Sequence, residues 1–191
     1  MRDGQSRCAG GSAIASGFGT GWAFWAASGL SAATAVVVRI AGVVIGAVII
    51  AGALFRAIPA VADDLVADSG SRSMFRARGY LIWVAVELVA LVAGNAALNA
   101  SSYSKYVVVW TAFVVGVHFI GFGRLFATLF YWVGGMFIVA AVVGAAAGAY
   151  FGTKQAVEAS TGLIAAAALF GSGTLGVLTS FSSQMKATAP R

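Results

Sequence analysis

Runs of about 20 apolar residues recur along most of this chain, separated by short polar or basic connections, and that recurrence leaves few folds open. A run of that length crosses a bilayer as a helix, in which every main-chain group finds its partner within the segment. The runs are rich in Ala, Val and Gly and lack the alternation of about ten residues that marks an outer-membrane barrel. With 60 % hydrophobic and 9 % charged residues among 191, the chain reads as one all-α integral membrane domain spanning residues 1–191.

Six transmembrane helices are expected, near 12–30, 33–54, 80–98, 106–122, 130–151 and 162–181. The first contains Gly17-Phe18-Gly19-Thr20-Gly21, poor in helix propensity although tolerable in a membrane; without it the spans number five. Charge supports six. With Arg39 set aside as lying within a span, Arg2, Arg7, Arg56, Arg72, Arg76, Arg78, Arg124, Lys186 and Arg191 fall on one side, and Lys105 and Lys154 on the other. By the positive-inside rule both termini are cytoplasmic, as an even number of spans requires, and the expected location is the bacterial inner membrane. Tyr80, Trp83, Tyr103, Tyr106, Trp110, Tyr131, Trp132 and Tyr150 stand near span ends, where aromatic belts form.

In the longest connection, 55–79, Pro59 is expected to end the second helix, Val61 to Val66 to make a short amphipathic turn, and Ser69-Gly70-Ser71 to break it. Asp63, Asp64 and Asp68 read as acids of a solvated turn rather than a cation site. Met1 to Arg7 lacks the apolar stretch of a cleaved signal, so a retained N-terminus is expected. One cysteine, Cys8, allows no intrachain disulfide.

Lipid gives little hydrophobic drive between helices, so small residues must bring backbones close. Gly42 and Gly46 form such a face in helix two, and Gly144, Gly148 and Gly152 a longer one in helix five. Packing within the protomer is their expected use, with a homo-oligomer or another membrane protein as the alternative partner beside the lipid. The net charge of +6 is too dispersed for a nucleic-acid stripe.

Three ionisable residues lie inside apolar runs: Arg39, Glu87 and the single histidine, His118. Such residues are costly and usually mark ion or proton paths. Arg39 precedes Gly46 by seven residues, only about 20° around the helix, which turns it inward, and it lies close enough to its outer span end to snorkel. Glu87 lies about 10 Å, and His118 about 6 Å, from the cytoplasmic end of its helix. Helices three and four are joined by 99–105 alone, so they pair antiparallel and the two side chains can meet. Asn95, beside Gly94, and Thr111 extend this polar stripe. The stripe is either a proton or cation site of a small transporter or channel, or a hydrogen-bonded packing contact worth about 0.6 kcal/mol.

An enzyme is not expected. Gly171-Ser172-Gly173 together with His118 resembles the Ser-His dyad of rhomboid proteases, but there the serine helix comes first. One His with one Glu supplies neither bis-His haem ligation nor a zinc site, so no metal or cofactor is expected.

Gly116-Val117-His118-Phe119, followed by Arg124-Leu125-Phe126, and Gly21-Trp22-Ala23-Phe24-Trp25 with Gly29-Leu30 resemble an uncharacterised family of small bacterial six-span integral membrane proteins. Members carry a Gly-x-His-Phe segment in helix four followed by Pro, where this chain has Gly121-Phe122-Gly123. The resemblance implies fold and location, and directs attention to His118. The functional alternative to transport is a membrane scaffold or accessory subunit that packs against another membrane protein.

Overall fold

The computed structural model describes residues 3–64, 78–125 and 128–188, with side-chain surroundings for 11–55, 81–124 and 128–178. These residues are almost entirely helical: α1 Asp3–Ser28, α2 Ala32–Asp64, α3 Arg78–Asn99, α4 Val107–Leu125, α5 Leu129–Phe151 and α6 Lys154–Thr188. Stretches of α2 to α6 are long and apolar enough to cross a membrane. α1 is long enough at 26 residues, but its Gly, Ser and Thr content makes it more polar.

Across the bundle the helices stand in the order α2, α1, α6, α5, α4, α3, each packed on the next, with α6 also reaching α2 and α4. Neighbours run antiparallel: Gly42 of α2 meets Ala23 of α1 while Gly46 meets Thr20, and Gly162 of α6 meets Ala26 while Gly19 meets Leu169 and Phe170. The polar α1 is thus enclosed between two apolar helices. Two of its hydroxyls are satisfied locally, Ser16 Oγ donating to the Ser12 carbonyl at 2.8 Å and Thr20 Oγ1 to that of Ser16 at 3.0 Å, while the buried Ser12 Oγ has no hydrogen-bond partner among the described residues. That shelter explains how a glycine-rich stretch of weak propensity becomes a regular helix.

Small residues bring these backbones together. A Cβ on Gly42 would stand 2.8 Å from that of Ala23, and one on Gly46 2.5 Å from Thr20 Oγ1. In α5, Gly144 abuts Thr161, and Gly148 abuts Tyr106 and Val157. Gly152 departs from the expected packing face. It has φ +71° and open space around it, and it ends α5 in the left-handed conformation that glycine adopts most readily. Lys105 completes that end, its Nζ donating to the carbonyls of Gly148 and Gly152 at 3.2 and 3.3 Å. Sequence spacing also misses Gly116 and Gly134, which face each other across α4 and α5, each with its Cβ position against the other's carbonyl.

Several boundaries differ from expectation, among them the start of α1 at Asp3 rather than near residue 12. α2 continues through Pro59 to Asp64. Proline removes one main-chain donor, and a helix already about seven turns long survives that loss. α6 starts at Lys154 rather than near residue 162, because Gly152 and Thr153 make the whole turn and Thr153 Oγ1 accepts the Ala156 N–H at 3.3 Å, capping the new helix. The expected break at Ser69-Gly70-Ser71, and Asp68 with it, lies outside the described residues.

Candidate functional site

Among the described residues α3 packs against α4 and the short turn Ser104–Tyr106 alone, so one stripe of it is covered: Trp83, Val84, Glu87, Ala90, Leu91, Gly94, Asn95 and Leu98 are half-buried. Their spacing of three and four is the period of one helix face. The contacts along this seam form four rungs. Trp83 lies on the bare backbone of Gly121, Glu87 meets His118, Trp110 covers Gly94 and donates its indole N–H to the Ala90 carbonyl at 3.0 Å, and Thr111 Oγ1 reaches Asn95 Oδ1 at 3.4 Å.

The second rung holds the ionisable pair. His118 Nδ1 is 3.1 Å from Glu87 Oε2, with the imidazole 8 % and the Glu87 side chain 21 % exposed. The two groups touch without hydrogen-bond alignment, leaving Nδ1 buried and otherwise unpartnered among the described residues. Phe122 packs on the ring at 4.0 Å between centroids and Phe119 stands edge-on at 6.0 Å. From Phe119 a file of aromatic rings runs through Phe137 and Trp22 to Trp25, so the interior beside the pair is apolar and filled.

A carboxyl and an imidazole in contact can share one proton with no net charge, either as two neutral groups or as an ion pair. Gaining or losing a proton leaves one net charge in apolar surroundings, which water or an entering ion must offset. The chemistry open to this rung is proton exchange.

Of the other residues singled out in the sequence, Asn95 and Thr111 come together one turn further along the same seam. Arg39 does not join them. It belongs to α2, at the opposite end of the row, and is exposed rather than turned inward. It sits at the flank of the α2 contact face, about 60° from Gly42, and its long side chain extends past the edge toward Phe24. Trp83 and Trp110, expected in interfacial belts, fill the seam instead. Ser172 gives its hydroxyl to the Leu169 carbonyl at 2.9 Å.

Glu158 was not apparent from sequence. It is 9 % exposed in α6, accepts from Ser28 Oγ at 3.1 Å and lies 3.5 Å from Lys154 Nζ, clasping the ends of α1 and α6. The i, i+4 spacing of Lys154 and Glu158 was the available signal. Among the described residues no three His, Cys, Asp or Glu side chains converge as a metal site.

Comparison of the chain with protein-family models, curated proteins and solved structures finds no match. The seam itself therefore has to carry the functional reading.

Proposed function

We propose that this is a six-span protein of the bacterial inner membrane, with cytoplasmic termini, in which Glu87 and His118 exchange a proton to support movement of protons or a small solute. The observation that carries this reading is the 3.1 Å contact between the chain's one histidine and a carboxyl group within an apolar helix. Deprotonation of the pair leaves one negative charge that an entering cation can neutralise, and reprotonation expels it. The pair also lies on the seam by which α3 is held, so its charge acts directly on that helix. The excess of Arg and Lys at one set of helix ends supports the orientation.

The test is flux. Protein reconstituted in liposomes under an imposed pH gradient should pass protons, and Glu87→Gln and His118→Ala should each abolish the flux. A silent wild type across a panel of small cations would reject the reading; flux that survives both substitutions would remove the pair from it.

A second reading, an accessory subunit held to another membrane protein, draws on the exposure of Leu81, Ile82, Val86, Leu88, Val89 and Val92 on α3. A stoichiometric partner recovered in mild detergent would favour it, and a clean monomer would count against it.

A further inference from the structure

Arg39 stands exposed on α2 among Val36, Val37, Ile40 and Val43, all exposed as well. Its guanidinium carbon is 5.9 Å from the ring centroid of Phe24, on the outer side of α1. Among the described residues the ion pairs are those of Glu87 and Glu158, and neither involves Arg39. A positive charge is therefore set in an apolar, membrane-depth surface with an aromatic face beside it and, among the described residues, no protein anion to neutralise it. An aromatic ring attracts the cation but leaves its charge in place.

The surroundings narrow the identity of the missing anion. Arg39 lies seven residues, about 10 Å, into α2, a depth from which a long side chain can snorkel to the helix start. Exposed there are the hydroxyls of Ser31 and Thr34, 2.9 Å apart. From Phe24 toward mid-membrane, α1 presents Gly21 and Gly17 with open space where side chains would stand, and Phe18 projects beside them, 65 % exposed. A shallow trough thus runs into the bilayer from directly beside the charge. A phosphodiester is the anion found at this depth, its geometry matches the guanidinium fork, and its chains need such a trough.

We propose that Arg39 and Phe24 bind the phosphate end of a phospholipid in the leaflet nearest the α1–α2 turn, with an acyl chain lying over Gly21 and Gly17.

Delipidated full-length protein in mild detergent, titrated with phosphatidylglycerol and followed by native mass spectrometry, tests this. Wild type should retain one lipid per chain, Arg39→Gln should bind it about tenfold more weakly, and Arg39→Lys should fall between. Diacylglycerol, which has the chains but not the phosphate, should bind wild type as weakly as phosphatidylglycerol binds Arg39→Gln. Gly21→Leu, which fills the trough at an exposed position, should weaken the lipid with Arg39 intact. Equal affinity of wild type and Arg39→Gln, equal affinity for the two lipids, or displacement of the lipid by millimolar inorganic phosphate would each overturn the proposal.

Discussion

Trp110 of α4 lies against the bare backbone of Gly94 in α3, so that any side chain at 94 would occupy the space of the indole. The same indole donates to the Ala90 carbonyl, which makes this contact both the tightest packing point of the seam and one of its few directed bonds.

Gly94→Ala should therefore displace Trp110 and lower stability by about 1–3 kcal/mol, as overpacking does. Gly135→Ala, where nothing lies within 4 Å, should be neutral or slightly stabilising through helix propensity. Thermal unfolding in detergent, followed by tryptophan fluorescence, checks both, and equal midpoints for the two variants would contradict the packing described.

Glu87 and His118 should be energetically coupled. A double-mutant cycle with Glu87→Gln and His118→Ala, read by reversible unfolding in bicelles, is expected to give about 0.6 kcal/mol and no more than about 1.7 kcal/mol. That range is small against total stability, so loss of flux in either variant would report chemistry rather than collapse. Additive effects would mean that the two groups do not interact.

Glu158→Ala should cost about 1–3 kcal/mol by leaving the α1–α6 clasp unmade, whereas Lys154→Met should cost under about 1 kcal/mol because that lysine is largely exposed. The same unfolding measurement separates them. A larger effect at Lys154 than at Glu158 would reverse the assignment.

In a Cys8→Ser background, a cysteine at Ser102 should react with an impermeant maleimide added outside intact cells, and one at Thr128 should react only after permeabilisation. Both positions are exposed at opposite helix ends. The reverse pattern would invert the proposed orientation.

The helices were legible because apolar runs of bilayer length admit little else, and the Glu87–His118 rung because both residues lie at similar depth on helices joined by a short turn. Glu158 was hidden by its neighbours. Lys154, Gln155, Ser160 and Thr161 make that turn of α6 look like a loop, and only burial against α1 reveals it as helix. Arg39 shows a different limit: angular spacing placed its Cα near a contact face, but a side chain that long can leave the face it starts from. The spatial order of helices is the least legible feature. Nothing local in α2 indicates that, among the described residues, it packs on α1 and α6 but not on α3, the helix that follows it.

That order has a consequence for how the protein is made. Backbone contact between the α1–α2 pair and the α3–α4–α5 group runs through α6. α6 is synthesised after the other five helices, so during synthesis those helices wait in the bilayer without the backbone packing that α6 provides between the two sets. Close backbone packing of the two groups is thus completed late, when α6 packs against both, and before then side-chain contacts such as Trp22 on Phe137 are what join them.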